Sequence, residues 1–95
     1  MIEENRKILT KAIAKYGEMQ LDIAQEECAE LIQALSKWKR YNNTKAKLNV
    51  IEKIADVTIM LEQLKIMFGI TEEILQDEID CKIDRLAKKM EEENV

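Results

Sequence analysis

Apolar residues recur every three or four positions along almost the whole chain, the period of amphipathic helices, and no stretch alternates with the period of two that a strand requires. The spacing predicts four helices, at about 3–16, 19–41, 45–68 and 71–92. There is no proline, and the only two glycines, Gly17 and Gly69, fall where the apolar phase changes, as residues at helix ends do. Asn42-Asn43-Thr44 reads as a polar turn. Thr71, followed by Glu72 and Glu73, supplies a hydroxyl cap and acids against the dipole at the start of the fourth helix.

The second helix carries Leu21, Ala24, Cys28, Leu31, Leu35 and Trp38 at helical spacing. The third has the rows Val50-Val57-Leu64 and Ile54-Leu61-Phe68, and the fourth has Leu75, Ile79, Ile83, Leu86 and Met90. Such seams belong to antiparallel helices packed at shallow angles. The expected fold is therefore all-α, a four-helix bundle in a single domain spanning 1–95, without repeats or linkers. Ala55, Ile59 and Ile66 add a further apolar strip to the third helix, on roughly the opposite side from its main seam. Three neighbours cannot cover that much surface, so the bundle is expected to be completed by oligomerisation, as a homodimer at least.

Composition narrows the chemistry. Fifteen Lys and Arg stand against nineteen Asp and Glu, a net charge of −4, which argues against a general nucleic-acid binder. With 46% hydrophobic and 36% charged residues, the chain is too apolar for disorder and too charged for a membrane protein. Its longest apolar stretch, 66–70, is about a quarter of a membrane span. The opening Met1-Ile2-Glu3-Glu4 is acidic and shows no secretory signal, so a cytoplasmic location is expected, with no membrane partner. The absence of His removes imidazole bases and His-ligated zinc. Cys28 and Cys81, with no metal-type spacing, read as small buried thiols. Any chemistry must run on carboxylates, lysines, arginines and hydroxyls.

Glu26, Glu27 and Glu30 fall within about 100° of arc on the second helix, and Ile23 and Ala34 lie inside that arc. Asp22, Gln33, Ser36 and Arg40 mark the polar face further round, and it includes only Glu26. Glu27 and Glu30 thus point at an apolar-flanked surface. Asp56 shares its helix face with Met60 and Met67. An acid in such surroundings is costly unless a lysine, a hydrogen-bond donor or a metal pairs with it. Converging carboxylates suit a hard divalent cation, Mg²⁺ or Mn²⁺; the alternative is a set of salt-bridged structural acids.

Glu26-Glu27-x-x-Glu30, a spacer of 22 residues, and then x-x-x-Asp56 resembles the EExxE…ExxD signature of the MazG-like all-α nucleoside triphosphate pyrophosphohydrolases. Gln20-Leu21-Asp22 before the first motif, Leu31-Ile32-Gln33-Ala34 after it, and Ala55-Asp56-Val57 followed by Ile59-Met60-Leu61 agree with it. The resemblance covers roughly residues 16–90. It implies a Mg²⁺-dependent enzyme, or one served by Mn²⁺, that splits a nucleoside triphosphate with water into the monophosphate and pyrophosphate. Glu27, Glu30 and Asp56 would then be metal ligands, and Glu26 would either stand behind those ligands without touching the ion or act as a base that orients the attacking water. Position 53, where the signature asks for an acid, holds Lys53. Adjacent Glu52 is expected to substitute in part as a ligand, while Lys53 either salt-bridges the acids or touches a phosphate.

Lys82, Arg85 and Lys89 form a stripe beside the fourth seam, and Lys82 and Arg85 resemble basic residues that this family places near phosphates. The plainer reading pairs them with Glu78 or Asp84. Gln20, about 20° from Glu27 on the wheel, is a candidate reader of a base edge. Tyr16, Trp38 and Tyr41 are candidate stacking residues, with Trp38 in register with the seam, and Lys37, Lys39 and Arg40 read as a solvated helix end. Two other classes compete with the enzyme: a nucleotide- or metal-binding homologue silenced by Lys53, and a helical interaction module whose acids are structural.

Overall fold

The computed structural model describes residues 3–94, so Met1, Ile2 and Val95 lie outside it, as does the start of the acidic opening. Four helices follow one another: α1 (Glu3–Tyr16), α2 (Met19–Tyr41), α3 (Thr44–Met67) and α4 (Glu72–Glu93). There is no strand among the described residues, and no helix is long and apolar enough to cross a membrane. Gly17 and Gly69, at φ +61° and +63°, take the left-handed conformation that ends a helix at no Cβ cost. Asn42 does the same at φ 44°, where an asparagine side chain is tolerated. Asn43 accepts a hydrogen bond from Ala46 N (2.8 Å), and Thr71 Oγ1 accepts one from Ile74 N (3.1 Å), so both predicted turns end in side-chain caps.

α2 and α3 form an antiparallel hairpin against which α1 rests, largely through α3. The buried line of α2 runs through Gln20, Ala24 and Ala34, with Ile23, Glu27 and Leu31 half-buried beside it. This line is turned from the expected seam: Cys28, Leu35 and Trp38 are exposed. Ala34, 1% exposed, is the most deeply buried residue of this line. α3 answers with Ala46, Met60 and Gln63, and Val50, Val57 and Leu64 are half-buried, whereas Ile54, Leu61 and Phe68 are open. Both cysteines are exposed, against the expectation of buried thiols, because neither faces the hairpin contact.

α4 departs most from the expected bundle. It packs against none of the other helices and is tied to α3 through Lys65, whose Nζ reaches Glu62 (2.7 Å) and Glu72 (2.6 Å). Its predicted seam is real as a pattern but uncovered, with Ile79, Ile83, Leu86 and Met90 between 41% and 57% exposed. Within one chain the packed unit is three helices and not four. The consequence shows in the dimensions. The accessible surface is 7863 Å², against about 5,700 Å² for a compact monomer of this mass. The radius of gyration is 16.7 Å, against about 12 Å for a compact chain of this length.

Candidate metal and nucleotide site

The antiparallel pairing of α2 and α3 sets Gln20 against Gln63 near one end of the hairpin. One heptad further along each helix, the same faces bring Glu27 and Glu30 opposite Lys53 and Asp56. One carboxylate oxygen from each of Glu27, Glu30 and Asp56 lies within 4.8 Å of the others. Ligand oxygens around a Mg²⁺ ion stand roughly 3–4 Å apart, so a small closure would bring these three into range. Two helices thus assemble a trio that the sequence separates by more than twenty residues.

Lys53 sits among them. Its Nζ is 3.2 Å from Glu30 Oε2 and 3.8 Å from Asp56 Oδ2, and only 21% of its side chain is exposed. The hydrogen bond to Glu30 raises the lysine's pKa above its usual value, with the charges of Glu30, Glu52 and Asp56 adding to it and desolvation opposing it. The ammonium is therefore held charged at the place where a cation would sit. Glu27 differs from its neighbours. Its Oε2 is buried with no hydrogen-bond partner. Desolvation pushes its carboxyl above the usual range, repulsion from Glu30 and Asp56 pushes the same way, and Lys53 pulls it back.

A pH dependence follows from that shift. The folded chain holds the Glu27 proton more tightly than the unfolded chain does, so stability falls as pH rises from the ordinary carboxylate value through the raised one. Divalent cations compete with that proton. The rise in melting temperature produced by Mg²⁺ should therefore grow with pH through the same window. Thermal unfolding with and without Mg²⁺ across mildly acidic to neutral pH checks this, and Glu27→Gln should remove the dependence.

The other predicted residues are placed as follows. Glu26 is exposed on α2, one residue from Glu27 and outside the trio. Glu52 is exposed one turn from Asp56 and lines a cleft of about 690 Å³ beside the α2–α3 turn. Gln20 is 4% exposed, and its amide donates to Gln63 Oε1 inside the hairpin, leaving its own Oε1 buried without a partner. Lys82 lies 3.7 Å from Glu78 on α4, as the plainer reading has it. Arg85 is exposed on the same helix, and neither α4 residue meets the trio within one chain.

The cleft also contains Lys37, Tyr41 and Lys45. Helix periodicity puts these on the side of the hairpin where Glu30 and Asp56 emerge, further along toward the turn. Lys37 had the pattern of a solvated helix end, and Lys45 carried no signal at all. Only the folding of the turn gathers them beside Glu52. The cleft falls in the size range of small-molecule sites, and a nucleotide bound there would have an aromatic ring, two ammonium groups and a carboxylate cluster within one surface. No protein-family model matches the chain, and no curated protein or solved structure shows significant similarity to it.

Proposed function

We propose that this chain is a Mg²⁺-dependent (or Mn²⁺-dependent) nucleoside triphosphate pyrophosphohydrolase of the MazG-like all-α type, cytoplasmic and homo-oligomeric, with turnover held low by Lys53. The observation that carries this reading is the convergence of Glu27, Glu30 and Asp56 from two helices, with one buried carboxylate oxygen left unpartnered. Three oxygen donors and no nitrogen or sulfur fit a hard divalent cation.

Glu27, Glu30 and Asp56 would hold the ion, with Glu52 one turn away. Bound there, it supplies charge neutralisation to the triphosphate oxygens and acidity to a water. Glu26, solvent-facing beside the trio, accepts the proton of that attacking water. Water adds to the phosphorus nearest the sugar, the bond to the pyrophosphate oxygen breaks, and no side-chain nucleophile is needed. Lys37 and Lys45 in the cleft meet phosphate charge, and Tyr41 offers a stacking face. Lys82 and Arg85, on α4, stay clear of the trio within one chain.

A second reading, a binder without turnover, is favoured by the 3.2 Å contact of Lys53 with Glu30, since an ammonium already neutralises part of the site. Both readings predict that Mg²⁺ or Mn²⁺ raises the melting temperature. At about a hundred times Kd the stabilisation is ~2.7 kcal/mol, several degrees for a chain of this size. Glu30→Gln keeps the shape and removes the charge, so it should abolish the rise without loss of helicity. An unchanged metal response in Glu30→Gln and Asp56→Asn would leave the acids structural and the chain a helical interaction module.

A further inference from the structure

Two apolar surfaces of this chain lie uncovered. On α2, Cys28, Ile32 and Leu35 are exposed in a strip beside the buried line. On α3, Ile54, Leu61 and Phe68 are 50–64% exposed in an equivalent strip. Helix periodicity places both strips on one side of the antiparallel hairpin, the side away from the carboxylates, so they form a single apolar groove. The second surface is the seam of α4.

We infer that two copies of the chain exchange their fourth helices, each α4 laying its seam into the α2–α3 groove of the other and burying Cys28 while leaving Cys81 in solvent. Four observations converge on a second copy as the occupant. The lengths match, since α4 at 22 residues spans about 33 Å and α2 at 23 residues about 35 Å. The residues Leu75, Ile79, Ile83, Leu86 and Met90 occupy an arc of about 80°, the width one groove between two helices covers. The surface in excess of a compact monomer is roughly 2,200 Å² per chain, more than the ~800 Å² a partner contributes to a standard interface and in the range of obligate dimers. A reciprocal exchange also closes: one contact, made twice about a two-fold axis, covers both surfaces and leaves neither seam open. Pairing groove with groove would leave each α4 still uncovered.

The two thiols distinguish this arrangement from any other. Cys28 lies within the groove strip, whereas Cys81 falls on the side of α4 opposite its seam. Both are exposed in the single chain, so a difference in their reactivity reports the second copy directly. The inference gives a geometry to the homo-oligomer of the preceding reading and is independent of its metal chemistry.

The test labels the natural protein with iodoacetamide and follows the two cysteine peptides by mass spectrometry, alongside light scattering. A dimer is expected, in which Cys81 reacts at least roughly tenfold faster than Cys28, with the rates converging as dilution separates the copies. Ile83→Asp, at a position 57% exposed in the single chain, should abolish both the dimer and the protection of Cys28 while leaving the Cys81 rate unchanged. A monomeric natural protein, equal labelling rates, or an Ile83→Asp dimer that still protects Cys28 would overturn the exchange. If circular dichroism shows that Ile83→Asp has unfolded, the ratio of rates in the natural protein decides alone. Failure of the enzymatic reading shows in the Mg²⁺ response, which this labelling does not touch.

Discussion

Lys53→Glu is expected to bind Mg²⁺ roughly 10–100-fold more tightly than the natural protein, the scale on which groups around a metal site act. The natural ammonium lies 3.2 Å from Glu30 and 3.8 Å from Asp56, so an entering cation must displace it or share its oxygens. Substitution by glutamate removes one positive charge and adds one negative charge at the position where the EExxE…ExxD signature has an acid. Repulsion among the carboxylates then rises in the free protein and is relieved only by the ion. Lys53→Met separates the two contributions, since it removes the competing cation without adding a ligand, and its affinity should fall between the other two. Isothermal titration of the three proteins measures this directly. Equal affinities would show that the lysine swings clear of the site at no cost.

The second large effect lies seven residues away along both helices. Gln20 and Gln63 are each 4% exposed and pair through one amide hydrogen bond. Replacing either alone by leucine strands the other amide in the hairpin interior, a loss of about 1–3 kcal/mol. That corresponds to a fall of roughly 4–8 °C in melting temperature per kcal/mol for a chain of this size. The double variant Gln20→Leu/Gln63→Leu should recover most of the loss, because it buries two apolar groups and leaves no orphan. It should also respond more weakly to Mg²⁺, since two leucines do not fix the register that sets Glu27 against Asp56. Thermal unfolding of the four proteins tests the coupling. Additive losses in the double variant would mean that the two amides act separately.

The pattern of the chain carried the elements and the convergence of Glu27, Glu30 and Asp56. Helix limits agree within one residue, because Gly17, Asn43, Gly69 and Thr71 mark the ends by backbone chemistry that is local. The approach of Lys53 to the acids was also visible, since the wheel puts it about 60° from Asp56. The buried face of α2 was legible only in part: Leu21, Ala24 and Leu31 of the expected seam are buried or half-buried, whereas Cys28, Leu35 and Trp38 are exposed. The remainder of that face is Gln20 and Ala34, an amide and a small alanine that no hydropathy pattern ranks highly. For the same reason periodicity cannot tell a seam covered by its own chain from one left open, and α4 and the cysteines fell on the wrong side of that distinction. The cleft beside Glu52 depends on the turn joining two helices, so Lys37 and Lys45 had no shared pattern to reveal them.

A pyrophosphohydrolase site restrained by its own lysine, as proposed, is tested most directly by a panel of nucleoside triphosphates with Mg²⁺, following pyrophosphate and monophosphate released by the natural protein and by Lys53→Glu. Slow or absent turnover by the natural protein is expected, with equimolar pyrophosphate and monophosphate released faster by Lys53→Glu and lost again in Lys53→Glu/Glu30→Gln. Robust turnover by the natural protein that collapses in Lys53→Glu would contradict this, and would make Lys53 a working phosphate ligand.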